Sequence, residues 1–209
     1  MNIGVAYNPC SKCEEKSNCN ICELTYYRKG ALSMENKRTL AEIGIGATCR
    51  IGEKEYILCE HTAEGSVLLM KDCLYDLEKF GKKNNYNGSN VDKLCEEFAD
   101  EIEKVVGAEN IVRHVVDLTA DDGLKDYGTI ERRVSLFTAN QYRKYCDILD
   151  KNRLDKWTWT ATAYSTPKHG DDILVKCVSP LGFICDLISF CDYIGVRPFL
   201  ILKSSIYVS

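Results

Sequence analysis

The spacing of apolar residues changes period along the chain, and each change marks an element. Three short runs, residues 47 to 51, 55 to 60 and 66 to 71, concentrate strand-forming residues. Gly-Glu-Lys and Ala-Glu-Gly turn signals part them, which predicts a three-stranded meander. From Val91 the period lengthens. Val91, Leu94, Cys95, Phe98, Ile102, Val105 and Val106 fall on one helical face, and Gly107 follows as a helix terminator. A second helix opens at Thr138, whose capping-box spacing to Gln141 precedes a stripe of Tyr142, Tyr145, Cys146 and Leu149. The period drops to two in "WTWTATAY", where Trp157, Trp159, Ala161 and Ala163 alternate with Thr158, Thr160, Thr162 and Tyr164. That is a strand with one buried face. "DILVKCVS" and "VRPFLILK" read as further strands, so the fold class is α+β, with mixed antiparallel sheets and two helices beside them.

The stretches between these elements are polar. "NNYNGSN" reads as a surface loop, and "STPKHGDD" and "SFCDYIG" as loops between strands. In "HVVDLTADDGLKDYG", Asp117, Asp121, Asp122 and Asp126 lack the spacing of an EF-hand and read as a solvated acidic passage. Pro198 has no amide donor, so its strand should lie at an edge or end its ladder there. Arg197 before it is expected to bond loop carbonyls or a carboxylate. Residues 23 to 44 read as a linker with a short helix. The expected organisation is therefore an N-terminal segment, 1–45, and one domain, 46–209.

The twelve cysteines are unevenly placed. Cys10, Cys13, Cys19 and Cys22 form "CSKCEEKSNCNIC", two C-x2-C hooks five residues apart. Each hook turns two thiolates toward one centre, as tetrahedral zinc requires. An iron–sulfur cluster and disulfides are the alternatives. Four thiolates leave no open position for water, so one structural zinc per chain is the expected cofactor, and it serves folding. Cys49, Cys59, Cys73, Cys95, Cys146 and Cys177 lie in apolar stretches and read as small core residues.

Composition narrows the function classes. Of 209 residues, 45% are hydrophobic and 28% charged, which suits a folded chain with a sizeable core. The net charge of −4 gives no basic field for a phosphate backbone, so nucleic acid is not an expected partner. No apolar run reaches the roughly eighteen residues of a membrane span, and the start lacks the regions of a signal peptide. Cytoplasm is the expected compartment. His61, His114 and His169 sit in no nucleophile motif, so the chain is not expected to be an enzyme.

Four motifs in order carry a resemblance: "DLTADDGLKDYG" from Asp117, "VSLFTANQYRKY" from Val134, "WTWTATAYS" from Trp157 and "GVRPFLIL" from Gly195. From about Gly46 to Leu202 the chain resembles a family of bacterial and phage domains of unknown function, similar to the C-type-lectin-like fold. The chain departs from it at "TATAYS", where many members close the turn with proline, and the cysteine hooks lie outside it. The resemblance implies a Trp-rich strand and a terminal Gly-Val-Arg-Pro strand that frame an irregular ligand-facing segment. On that frame the expected binding face comprises residues 164 to 172 and 182 to 194. Tyr164, His169, Phe183, Phe190 and Tyr193 are its anchors, because aromatic side chains give much contact area for little lost rotamer freedom. The implied function is a binding protein of phage or mobile-element origin, for receptor binding or as a diversified variable protein, with a protein or surface-glycan partner. It would act in the host cytoplasm or on the phage particle. An intracellular inhibitor of a host defence protein is the alternative. A formylglycine-generating-type oxidase, using Cys185 and Cys191, is a remote one.

The hooks yield a direct expectation. Protein purified without chelator should carry about one zinc per chain by elemental analysis, and Cys10→Ser with Cys13→Ser should abolish it. Zero metal with a protease-resistant N-terminus would overturn it.

Overall fold

Apolar runs without alternation, "YILC", "SVLLM" and "PFLIL", form the centre of the molecule, because both faces of their sheet are covered. The structure is a computed structural model that describes residues 38 to 209, and the hooks Cys10, Cys13, Cys19 and Cys22 lie outside the described residues. The strands in chain order are β1 (Arg38–Thr39), β2 (Thr48–Ile51), β3 (Lys54–His61), β4 (Ser66–Met70), β5 (Ile111–Val112), β6 (His114–Asp117) and β7 (Thr129–Arg132). They continue with β8 (Val134–Leu136), β9 (Thr158–Ala163), β10 (Leu174–Val178), β11 (Ile184–Ile188), β12 (Pro198–Leu202) and β13 (Tyr207–Val208). The helices are α1 (Asn90–Val106), α2 (Ala139–Lys144) and α3 (Cys146–Asp150). The fold is α+β with several antiparallel sheets.

The main sheet runs β2-β3-β4-β12-β5, with β8 also on β12. Tyr56, Leu58, Leu68, Met70, Leu200 and Leu202 face one core, shared with Val91, Cys95, Phe98 and Ile102 of α1. Cys59, Val67, Leu69 and Phe199 face a second core with Phe137, Tyr145 and Leu149. A sheet buried on both faces has no polar positions to alternate with apolar ones. The small sheet β11-β10-β9 turns Trp159, Ala161, Val175 and Cys177 toward the first core. Trp159 packs edge-on against Phe80 at 5.5 Å between centroids, and its Nε1 donates to the Glu78 carbonyl at 2.8 Å.

Local signals explain the helix ends. Ser89 caps α1 by accepting from the Asp92 amide at 3.1 Å. Thr138 and Gln141 form the expected capping box, with bonds of 2.8 and 3.2 Å. Helix α1 is fastened to the β7–β8 junction by charge. Arg132 donates to both carboxylate oxygens of buried Asp92 at 2.8 and 2.7 Å, and Arg133 reaches Glu103 at 2.8 Å.

The structure corrects several expectations. The second helix breaks at Tyr145 (φ −103, ψ 16) into α2 and α3, which leaves Cys146 exposed and Tyr142 half-buried. Val105 is exposed, and Asp92 takes a buried place on α1. Asn84 and Tyr86 of the presumed surface loop are buried, Tyr86 because its ring packs near Phe80 at 6.2 Å. Trp157 is half-buried, whereas the threonines opposite it are buried, so β9 is covered on both faces. Pro198 begins a central strand: its partner is Leu136, and the pairing to β4 starts one residue later at Phe199. Arg38 to Glu42, read as linker, pack into the domain, with Arg38 paired to Val208 and Leu40 fully buried. β1, β5, β6, β7, β8, β11 and β13 add to the strands marked in the sequence, and β12 pairs with β4 of the meander. No helix among the described residues is long and apolar enough to cross a membrane.

Two predictions follow from the packing. Trp159→Ala should cost about 3–5 kcal/mol in denaturant unfolding, and Trp157→Ala clearly less; the reverse order would mean the faces are misassigned. Buried His114, bonded through Nε2 to Ser135 Oγ at 2.9 Å and tilted against the Phe199 ring, has its pKa lowered by burial to about 4. The unfolded chain therefore binds a proton first, near pH 6.5, so this stability is present above that pH and is lost as pH falls toward 4. Between pH 7 and 5 the loss should be about 2 kcal/mol, and His114→Gln should flatten that part of the stability profile.

Candidate functional site

The expected binding segments border the small sheet, and buried polar groups hold their backbone. Asn84 is fully buried beneath them. Its Nδ2 lies 3.1 Å from each of Ser165 O, Asp171 Oδ1 and Leu174 O, and Tyr127 OH donates to its Oδ1 at 2.6 Å. The acidic passage is a fastener, not a free solvated loop. Ser165 Oγ donates to Asp122 Oδ2 at 2.6 Å, Thr166 Oγ1 donates to Asp126 Oδ2 at 3.0 Å, and the Asp121 amide donates to the Ala163 carbonyl at 2.9 Å. The Ser165 hydroxyl, with the Leu124 amide, holds the Asp122 carboxyl below its usual range. His169 Nδ1 lies 3.1 Å from the same Asp122 oxygen. Serine and histidine thus share one carboxylate, which is not the hydroxyl–imidazole–carboxylate order of a nucleophilic triad.

On the outer face of the small sheet, Lys176 is nearly buried between Asp186 at 2.6 Å and Asp121 at 3.1 Å. Burial opposes its charge, but the bonds to Asp186 and Asp121 outweigh that and raise its pKa. Arg143 adds a second cation on Asp121 at 2.8 Å, and the Lys176 ammonium sits 5.5 Å from the centroid of the Tyr164 ring.

The structure places all five expected anchors at the surface. Relative exposure is 64% for Phe183, 51% for Phe190, 51% for Tyr193 and 42% for Tyr164, and His169 is exposed as well. They do not meet at one spot. Phe183 sits in the β10–β11 turn, whereas Tyr164 follows the end of β9 and Phe190 follows the end of β11, at the other end of the small sheet. Residues 74 to 81 run beside 189 to 196, through Leu74 N to Val196 O, Glu78 N to Ile194 O and Gly81 N to Ser189 O. Exposed Leu77, Leu181 and Ile173 extend the apolar surface and were missed. The Pro-Leu-Gly turn before Phe183 was the available signal for Leu181; nothing local marked Leu77.

Thiol and metal chemistry has two further places. Cys177 lies against the Cys185 carbonyl at 3.5 Å, and burial pushes its thiol up to about 12. Cys191 Sγ is 3.7 Å from Tyr193 OH. Asp72, Cys73 and Asp76 converge within metal-ligand reach. Lys156 already occupies that convergence, 2.9 Å from Asp76 and 3.6 Å from Asp72, and burial raises the Cys73 thiol to about 11. A protonated thiol beside a resident ammonium is a poor donor set for a cation. Comparison of the chain with protein families, curated proteins and solved structures finds no match.

Proposed function

We propose that the chain is a non-catalytic binding protein, of phage or mobile-element origin, that displays a ligand surface on a C-type-lectin-like frame. Receptor binding or service as a diversified variable protein is the role this reading favours, with a protein or surface-glycan partner and one structural zinc on the N-terminal hooks. One observation carries the reading: four large aromatic side chains stand exposed, and the segments of Tyr164, Phe190 and Tyr193 are held by bonds from Asn84 and residues 74 to 81. Aromatic rings are the side chains that contribute most to contact energy. The second reading, an intracellular inhibitor of a host defence protein, is favoured by the eight free cysteines of the described residues, which suit a reducing compartment.

The test is a variant with alanine at Tyr164, Phe183, Phe190 and Tyr193, compared with the parent for capture from bacterial lysate and from intact cells. The variant should keep its melting temperature nearly unchanged and lose capture. Retained capture would overturn the reading, and so would a collapse in melting temperature, which would assign these rings to folding. Capture from lysate alone would select the intracellular inhibitor, and capture by intact cells the receptor binder.

A further inference from the structure

The small sheet has an edge whose backbone groups have no partner among the described residues. Among the described residues strand β11 pairs only with β10, in the register Leu174↔Ile188, Lys176↔Asp186 and Val178↔Ile184. Ser189 N donates to Ile173 O and Ser179 N to Phe183 O, which makes Phe183, Cys185, Leu187 and Ser189 the residues bonded to β10. In an antiparallel ladder the alternate residues then point their amides and carbonyls outward. These are Ile184, Asp186 and Ile188, and of their outward groups only the Ile188 carbonyl is engaged, by the Cys191 amide at 3.0 Å. Edges of this kind are normally blunted by proline, a bulge or several charges. β11 carries no proline or bulge, and the one charged side chain in Phe183-Ile184-Cys185-Asp186-Leu187-Ile188-Ser189-Phe190 is Asp186.

Charge selects the occupant. Two copies of β11 joined antiparallel in the register that pairs all three outward residues would set Asp186 against its own copy, and like charges directly opposite are destabilising. Among the described residues the ion-pair partner of Asp186 is Lys176, which it shares with Asp121, and its side chain is 35% exposed, so this carboxylate can meet a second cation at the edge. We infer that the β11 edge accepts an extended polypeptide strand of the pattern apolar–x–basic–x–apolar, its basic residue facing Asp186 and its apolar residues facing Ile184 and Ile188. Main-chain bonds give such a strand its affinity and alternate side chains give it selectivity. This names the partner class of the binding surface proposed above and rests on that reading.

The probes are two synthetic peptides with Val-Thr-Lys-Thr-Val or Val-Thr-Glu-Thr-Val at the centre, titrated against the full chain with amide exchange as the readout. The lysine peptide should bind at least about tenfold more tightly than its glutamate twin, and added salt should shrink the difference. It should also slow exchange at the Ile184, Asp186 and Ile188 amides. Ile184→Pro removes an outward donor and leaves the ladder to β10 intact, so it should weaken the lysine peptide at unchanged melting temperature. Equal affinity for the two peptides would overturn the assignment, as would protection elsewhere or a concentration-dependent dimer that protects the same amides. If neither peptide binds while the aromatic variant still loses capture, the edge assignment falls and the binding reading stands. If the lysine peptide protects the edge while that variant retains capture, the edge stands and the aromatic face falls.

Discussion

Everything in the domain leans on one strand that is buried on both faces and paired on both edges. β12 bonds β4 along one side, and β8 and then β5 along the other. Its side chains alternate between the two cores, with Leu200 and Leu202 in one and Phe199 in the other. The residues leading into it join the sheets. Gly195 exchanges bonds with the start of β9, donating to Trp157 O at 2.7 Å and accepting from the Trp159 amide at 3.0 Å. A Cβ on Gly195 would stand 2.5 Å from Cys73 Sγ and 3.2 Å from the Trp157 carbonyl, so any side chain there forces its neighbours to shift. Arg197 is buried, and donates to the carbonyls of Met70 at 2.8 Å, Lys71 at 3.0 Å and Asn152 at 3.3 Å. An arginine fork serves here because three acceptors diverge from one point, which an ammonium on a flexible stem would hold less rigidly.

That arrangement accounts for what could be read from residue order and what could not. The meander, α1 and the start of α2 were legible because their signals are local: turn residues, a helical stripe and a capping box. β12 was recognised as a strand, but its partners were not, since a continuous apolar run states burial on two faces without naming the neighbours. β6 and β7 were lost because the residues joining them are acidic, and acidity is also the mark of a solvated loop. Asn84 and Tyr86 show the same ambiguity. A polar residue in an Asn-rich stretch reads as surface until the carbonyls and the tyrosine that satisfy it are known. The exposed anchors Tyr164, Phe183, Phe190 and Tyr193 were legible as aromatic residues in turn-rich segments. Leu77 reaches the same surface from a distant part of the chain, and only tertiary structure places it there.

The small sheet combines two electrostatic regimes. On its inner side Cys177 is kept a neutral thiol by burial, among Trp159, Ala161 and Val175. On its outer side Lys176 is almost as buried yet charged, because two carboxylates meet it at hydrogen-bond distance. Removing either carboxylate would leave part of a charge without compensation in a low-dielectric position, which costs more than the pair contributes when intact. Lys176, Asp121 and Asp186 therefore behave as a unit. The unit joins β10, β11 and the acidic passage across the outer face, so its geometry positions Asp186 at the sheet edge.

The bonds that hold the proposed binding segments end almost entirely on backbone atoms and small hydroxyls. Asn84 holds Ser165 O and Leu174 O, Asp126 holds Thr166 Oγ1, and residues 74 to 81 hold the main chain at Ser189, Ile194 and Val196. Phe183 and Phe190 have no side-chain hydrogen-bonding group, and among the described residues Tyr193 OH meets only Cys191. Substitutions at these positions leave the retaining bonds in place, and sites without shared partners change stability independently. Tyr164, whose ring lies 5.5 Å from the Lys176 ammonium, touches the frame, and so does His169. His169 shares Asp122 with Ser165, so altering it disturbs the carboxylate that fastens the end of β9. The exposed positions are therefore divided between Phe183, Phe190 and Tyr193, whose identity the frame does not constrain, and Tyr164 and His169, which touch it.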